Sequence, residues 1–268
     1  MKLIKTLALL LATATTWAQS LSVEDIVNRA NLTAYYQGKD GRAQVHMLIT
    51  DSQGRQRERR FTILRRDQAD TDNLEGNAYK SDQQMYVHFQ RPADVNKMSF
   101  LVWKHLQEDD DRWLYLPALD LVKRIAAADK RTSFVGSDYY YEDVSGRAID
   151  ADHHELIDTT DDYYILKNTP KDPASVEFSH YIVHVHKGTF IPVQTEYFDN
   201  NGEKYRIAKA HKVEKVGSYP TVIQASMQDL RSGSTTVMSY TQVNYNINLP
   251  DEIFSERFLR RAPIKYLR

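Results

Sequence analysis

Two groups of side chains in this sequence have the types and spacing for metal chemistry. His184 and His186 share one face of a predicted strand, with His180 farther along it, and imidazole is a common ligand of transition metals. Glu108–Asp111 is a run of four carboxylates, which hard cations prefer. No carboxylate of ligand spacing accompanies the histidines, and no calcium-loop spacing follows the acidic run. We therefore interpret the first group as a solvent-facing row and the second as a hairpin tip, and we predict no metal site.

Side chains for covalent catalysis form no recognisable pattern. The chain has 0 Cys, no Gly-x-Ser-x-Gly motif and no Gly-rich phosphate loop. Adjacent carboxylates such as Glu142-Asp143 and Asp161-Asp162 are abundant, but carboxylates on a surface are usually just solvated. The sequence therefore predicts no catalytic residue and no cofactor. We accordingly predict that the protein is not an enzyme.

The segment Ser137–Val144 concentrates tyrosine and acidic side chains. Tyrosine favours boundaries with one apolar and one wet side. Asp138, Glu142 and Asp143 could cap a helix or pair with Arg124, Lys130 or Arg131. Two interpretations stay open: a lid or docking segment, and a packed corner of a barrel. The candidates for the lid or for contact with a partner are Trp113, Tyr115, Tyr139, Tyr140, Tyr141, Glu142 and Asp143.

The start of the chain has the features of a secretory signal. Lys2 and Lys5 precede the apolar run Leu7–Ala14, and a small-x-small cleavage site ends at Ala18. The run is shorter than the roughly 20 apolar residues that span a bilayer. We therefore predict a signal peptide over residues 1–18, cleaved after Ala18, and one exported domain over residues 19–268, located in the periplasm if the source is bacterial.

The bulk composition excludes several classes of protein. With 0 Cys, no disulfide framework exists, so an ordinary apolar core must hold the fold. The 35 Lys and Arg residues nearly balance the 36 Asp and Glu residues, whereas nucleic-acid binding requires a basic excess. No later stretch is long and apolar enough to span a membrane.

The elements that must position these residues are mostly β-strands. A helix is predicted over residues 22–37, with Ser22 as its cap, and from Val45 onward the dominant period is two. Turn sequences such as Asp51–Gly54 and Asp199–Gly202 join the strands closely, which means antiparallel pairing. About ten such strands would form a sandwich or a strongly curved sheet. Both faces are apolar in Ser99–His105 and in Arg112–Leu116, so the inward faces of these two strands stay undecided.

The alternating positions that we assign to the inner face carry many large, soft side chains. Such residues can line a deformable apolar cavity, but plain core packing needs the same residues. Both interpretations stay open on strand alternation alone, because alternation reports burial and not emptiness. The candidate cavity residues are Val45, Met47, Ile49, Phe61, Ile63, Met85, Val87, Phe89, Tyr181, Val183, Tyr197, Met227 and Tyr245.

One stretch resembles a known family. After a strand that contains Trp103, it reads Arg112-Trp113-Leu114-Tyr115-Leu116-Pro117, Arg124-Ile125, Phe134, Gly136-Ser137-Asp138 and Tyr141-Glu142-Asp143-Val144. This combination is similar to the bacterial outer membrane lipoprotein-sorting proteins, which are periplasmic carriers with a LolA-like fold. The resemblance implies mainly antiparallel β structure, with a single curved sheet that forms an unclosed half-barrel and a helical lid over an apolar cavity.

The resemblance also implies a function. It predicts a carrier that buries a lipid or the acyl chains of a lipoprotein and moves them toward the outer membrane, with an RND-type exporter and an outer-membrane acceptor as partners. The alternative is a non-catalytic docking module that binds a membrane-protein partner without lipid, through Tyr139–Tyr141 or an exposed edge strand. A metalloenzyme using His180, His184 and His186 is the least favoured hypothesis.

Overall fold

The computed structural model describes residues 21–68, 81–106 and 108–268, and the predicted signal peptide lies outside these ranges. The first element is helix α1, Val23–Tyr35. The Ser22 hydroxyl accepts from the Asp25 backbone N–H at 3.1 Å, and the Asp25 carboxylate accepts from the Ser22 backbone N–H at 3.2 Å. This reciprocal capping box fixes the start of the helix. The predicted helix at the start of the domain is confirmed.

Thirteen strands form one sheet in the described residues, where the sequence predicted about ten. They are β1 Asp40–Thr50, β2 Gln56–Asp67, β3 Gln83–Arg91, β4 Ser99–Lys104, β5 Asp111–Leu116, β6 Leu121–Arg124, β7 Asp152–Thr159, β8 Tyr163–Pro170, β9 His180–His186, β10 Pro192–Phe198, β11 Lys204–Val216, β12 Tyr219–Asp229 and β13 Thr235–Tyr245. Two short helices, α2 Tyr141–Ser145 and α3 Arg257–Arg260, complete the regular elements discussed below.

The sheet is antiparallel throughout and does not close. Its strand order is β6-β5-β4-β3-β2-β1-β13-β12-β11-β10-β9-β8-β7, so β1 and β13 join two meanders and β6 and β7 are the edges. This confirms the curved, unclosed half-barrel and excludes the two-sheet sandwich. The sequence missed β6 and β7 because edge strands are largely exposed here, which leaves them without an alternating apolar face.

Residues 125–151, which we call the lid segment, connect the two edges across the concave face of the sheet. Phe134 in this segment is fully buried, with its ring centre 6.3 Å from that of Phe61, 5.8 Å from Phe89 and 5.5 Å from Phe100. Tyr141 packs on Phe100 and Phe134 at 5.2 and 5.6 Å. The lid segment therefore supplies side chains to the main core as well as covering the sheet.

Residues 247–268, which we call the back segment, cover the convex face of β2 to β5. Trp103 donates its indole N–H to the carbonyl of Phe254 at 2.7 Å, and the Tyr86 hydroxyl donates to the carbonyl of Phe258 at 2.7 Å. The back segment explains why β4 and β5 are apolar on both faces. Phe100, Val102 and Leu114 belong to the concave core, whereas Leu101, Trp103, Trp113 and Tyr115 pack with the back segment.

His88 lies buried on this convex side and predicts a pH effect on stability. Burial lowers the pKa of His88 from 6.5 to about 4, so protonation favours the unfolded chain. Stability is complete above the unfolded pKa and falls as the pH drops from about 6.5 toward 4. We expect this residue to remove up to about 3 kcal/mol of the free energy of unfolding over that window. Urea titrations at several pH values measure this loss. If the free energy of unfolding changed with pH in the same way for wild type and His88→Gln, the assignment to His88 would be contradicted.

In the described part of the chain, no helix is long and apolar enough to cross a membrane.

Candidate functional site

A cavity of about 430 Å³ lies between the concave face, the carboxyl-terminal half of α1 and the lid segment. This volume is within the range of about 300–1,000 Å³ that is typical of small-molecule sites. Its lining is contributed by α1 and the following turn (Thr33, Ala34, Tyr35, Gln37), by β1 to β3 (Gly41, Arg42, Ala43, Phe61, Ile63, Arg65, Met85), by the lid segment (Arg131, Phe134, Tyr139, Glu142, Asp143, Val144, Arg147) and by the second meander (Ile191, Pro192, Thr195, Tyr197, Ala208, Pro220, Thr221, Val222, Met227, Met238, Tyr240, Val243, Tyr245).

The predicted cavity residues all belong to the concave face, but they divide between open space and packed core. Six of them line the cavity: Phe61, Ile63, Met85, Tyr197, Met227 and Tyr245. Val45, Met47, Ile49, Val87 and Phe89 pack in the core with Phe134. Val183 packs against the cluster formed by α1, and the Tyr181 hydroxyl donates to the Asp152 carboxylate at 2.7 Å. The open space is therefore confined to the centre of the sheet.

Several lining residues were missed by the sequence reasoning, most clearly Met238 and Tyr240 on β13. In the sequence, Val237, Val243 and Tyr245 predict a single alternating period along β13. The pairing with β1 instead shifts between Arg42 and Gln44, and Gln242 has a φ of +48°. This bulge reverses the faces, so that Met238 and Tyr240 point inward before it and Val243 and Tyr245 after it. No turn residue in the sequence marked the bulge.

Arg65 fixes the wall that α1 contributes to the cavity. Its guanidinium donates to the backbone carbonyls of Tyr35, Gln37 and Gly38 at 2.8, 2.5 and 2.8 Å, and it lies 3.0 Å from the Asp67 carboxylate. These carbonyls belong to the last residue of the helix and to the turn after it, where backbone acceptors lack helical partners. One arginine from β2 therefore holds the end of α1 at a set height above the sheet.

Arg206 of β11 holds the middle of the lid segment. Its side chain is 1% exposed and pairs with Asp143, with one N–O distance of 3.2 Å, and it also donates to the carbonyl of Asp138 at 2.6 Å. The guanidinium carbon stands 3.9 Å from the ring centre of Tyr140. A paired and stacked arginine of this kind joins the lid segment to the second meander.

Glu142 is the second point of attachment. It is 3% exposed and lies 2.9 Å from Arg131, 3.3 Å from Arg147 and 3.6 Å from Lys130. The expected pairing with Lys130 and Arg131 is present. The expected pairing with Arg124 is wrong, because Arg124 lies on the opposite side of the edge strand and pairs with Asp111.

The residues predicted to form a lid or to contact a partner lie on two different sides of the sheet. Tyr139 and Tyr141 are 9% and 7% exposed and face the concave core, and Tyr140 is half-buried under Arg206. Trp113 and Tyr115 lie on the convex face with the back segment, on the other side of the sheet. The lid segment therefore contains the Tyr139–Asp143 cluster but neither Trp113 nor Tyr115.

The phenols in the cavity are neutral hydrogen-bonding groups. Burial raises the pKa of Tyr197 and of Tyr240 to about 12, and burial also raises the pKa of Tyr35. The charged side chains Arg65 and Glu142 of the lining are held by polar partners. The arrangement can bury an apolar chain and offer hydroxyl groups to a polar atom, and it presents no nucleophile paired with a base.

The candidate metal ligands lie elsewhere. The His180 ring stacks on Phe198 with a centroid distance of 4.7 Å, and His184 and His186 contact the Tyr163 ring at 6.3 and 6.0 Å. Within residues 21–68, 81–106 and 108–268, no group of three His, Cys, Asp or Glu side chains could hold a metal ion together.

Known proteins share this architecture. A family model described as an uncharacterized protein matches residues 81–261. None of the curated proteins that were compared matches the chain. Among solved structures, a DUF1329 family protein from Desulfovibrio piger is 29% identical, with a TM-score of 0.79, covering 88% of this chain and 97% of that one.

Two other solved structures have the same fold at lower identity. A domain from Vibrio parahaemolyticus, described as an outer membrane lipoprotein-sorting protein, is 23% identical with a TM-score of 0.76 and covers 90% of this chain and 100% of that one. A LolA superfamily protein from Nitrosomonas europaea is 18% identical with a TM-score of 0.66 and covers 89% and 100%. The chain therefore belongs to the family whose model it matches over residues 81–261, and its fold is the LolA-like fold of outer membrane lipoprotein-sorting proteins.

Proposed function

We propose that this protein is a periplasmic carrier that buries an acyl chain of a lipid or lipoprotein beneath the lid segment and moves it toward the outer membrane. The observation that carries the proposal is the 430 Å³ cavity on the concave face, lined by Phe61, Ile63, Met85, Met227 and Met238. A cavity with these walls, in a fold shared with lipoprotein-sorting proteins, supports binding of an apolar chain. The predicted signal peptide supports the periplasmic location.

The proposed mechanism is reversible burial without chemistry. Each methylene removed from water contributes about 0.8 kcal/mol, so one long acyl chain suffices for tight binding. The cavity volume lies near the lower end of the range for small-molecule sites, which favours a single chain over several. Methionine side chains at Met85, Met227 and Met238 can adjust to chains of different length.

Release would involve movement of the lid segment, because this segment forms part of the cavity wall. The contacts that oppose this movement are the Arg206–Asp143 and Arg131–Glu142 pairs. A receiving partner would therefore act on the lid segment or on the strands that anchor it. By resemblance to the family, we propose an RND-type exporter as donor and an outer-membrane protein as acceptor.

The test is mass spectrometry of lipid extracted from protein purified out of its own periplasm without detergent. We expect a lipid or acylated peptide in stoichiometric amount, and saturable binding of a fluorescent fatty acid after its removal. Protein that is isolated empty and also fails to bind the fatty acid would contradict the carrier function.

A docking module without lipid is the second candidate, and the unpaired edges of the sheet favour it. The outer sides of β6 and β7 have no neighbouring strand in the described residues. An extended peptide of a partner could add to either edge. Docking through Tyr139 and Tyr141 is disfavoured because both side chains are buried.

A further inference from the structure

The turn between β5 and β6 exposes large apolar side chains at an edge of the sheet. Leu119 is 70% exposed and Leu121 is 45% exposed. Leu121 is already the first residue of the edge strand β6, which pairs only with β5 in the part of the chain that the structure describes. These two leucines are available for burial against another surface.

The back segment brings positive charge to the same turn. The Arg260 side chain donates to the Asp120 carboxylate at 3.1 Å and lies 5.8 Å from the ring centre of Tyr115. Ile264 in this segment is 50% exposed. Residues 117–124 and 253–265, which we call the basic edge, contain two carboxylates and six cations, in a chain of net charge −1: Lys123, Arg124, Arg257, Arg260, Arg261 and Lys265.

Four of these cations have no carboxylate partner in the described part of the chain. Lys123, Arg257, Arg261 and Lys265 are exposed, and among the described residues no Asp or Glu lies within ion-pair distance of them. Exposed cations attract a negatively charged bilayer surface, and exposed aliphatic side chains enter its interface. The basic edge combines both kinds of side chain.

The opposite edge of the sheet provides an internal comparison. On β7, Leu156 and Ile157 are 37% and 48% exposed, so this edge is also apolar. Its neighbours, however, are Glu155 and Asp158, and residues 152–162 contain no Lys or Arg. An anionic surface would repel this edge, so charge distinguishes the two edges where apolar exposure does not.

We propose that the basic edge docks the protein on a bilayer surface that contains anionic phospholipid. This inference rests on the proposed carrier function, which requires a donor or acceptor surface for the acyl chain. β6 ends at Arg124 and the lid segment begins at the next residue. Docking at this edge therefore places the start of the lid segment, which lines the cavity farther along at Arg131 and Phe134, against the bilayer.

The test is co-flotation of the protein with vesicles of phosphatidylcholine, with and without phosphatidylglycerol. We expect binding that requires phosphatidylglycerol and weakens with added salt. Two double variants, Leu119→Ser/Leu121→Ser and Arg261→Gln/Lys265→Gln, should each lower the vesicle partition coefficient by about tenfold or more. The matched control, Leu156→Ser/Ile157→Ser, should leave it unchanged, and urea titrations confirm that all variants are folded.

Three outcomes overturn the docking proposal. The first is that wild-type protein does not float with the vesicles, and the second is that the control variant loses vesicle binding as strongly as the two test variants. The third comes from native envelope membranes with and without protease treatment, if the protein binds them only while their own proteins are intact. The last outcome would identify an acidic protein surface as the partner instead. Fatty-acid binding in solution, measured on the same variants, separates the two proposals. Fatty-acid binding without vesicle binding refutes docking alone, whereas vesicle binding without fatty-acid binding refutes the carrier function alone.

Discussion

Replacing Ala208 by tryptophan is expected to abolish most of the acyl-chain binding. Ala208 lines the cavity on β11, between Thr195 and Met227 on the neighbouring strands. An indole at this position would occupy space that the chain needs. Displacing only three methylenes costs about 2.4 kcal/mol at about 0.8 kcal/mol each, which is a roughly 60-fold rise in Kd. Titration with a fluorescent fatty acid measures the change.

The matched control is Ile207→Trp, at the adjacent position on the same strand. Successive side chains point to opposite faces, so this indole lies on the convex face beside Glu196 and Gln228. It should leave the Kd unchanged, and both variants should unfold at similar urea concentrations because the cavity accommodates the larger side chain. Equal affinity in Ala208→Trp and wild type would show that acyl chains bind elsewhere.

Replacing Arg206 by methionine is expected to lower the free energy of unfolding by about 3–5 kcal/mol, because it leaves the Asp143 carboxylate, whose side chain is only 9% exposed, without its cation. The stacking on Tyr140 and the bond to the Asp138 carbonyl are lost at the same time. Since all three contacts hold the lid segment, bound fatty acid should also exchange faster. Urea denaturation and stopped-flow displacement measure the two effects.

Arg231→Met is the matched control for this effect. Arg231 also pairs with an aspartate, Asp199 at 2.5 Å, and lies 4.6 Å from a tyrosine ring, but its side chain is 57% exposed. An exposed pair contributes about 0–1 kcal/mol, so this variant should be close to wild type. The double variant Arg206→Met/Asp143→Leu should recover part of the loss because no uncompensated charge remains. Similar losses in Arg206→Met and Arg231→Met would refute the role of the buried pair.

Local sequence patterns were sufficient to predict an element and its buried face wherever one face of the element is apolar and the other is exposed to solvent. The Ser22 cap and the spacing of Val23, Ile26 and Val27 predicted α1, and alternation predicted the long strands and their inner faces. Alternation failed at the β13 bulge, because one added residue reverses every later side chain. It also failed at β6 and β7, whose side chains are mostly exposed on both faces.

The sequence by itself determined the antiparallel class, the concave face, the tyrosine-rich segment and the resemblance to lipoprotein-sorting proteins, because these depend on local periodicity and on contiguous residues. Only the tertiary structure decided that part of the concave face borders a cavity. Phe61 beside the cavity and Phe89 in the packed core occupy the same kind of alternating strand position in the sequence. The tertiary structure also decided the pairing of Arg206 with Asp143 and the meeting of Arg260 with Asp120. Both contacts join residues far apart in the chain, and local preferences do not encode which distant segments meet when the sheet curves.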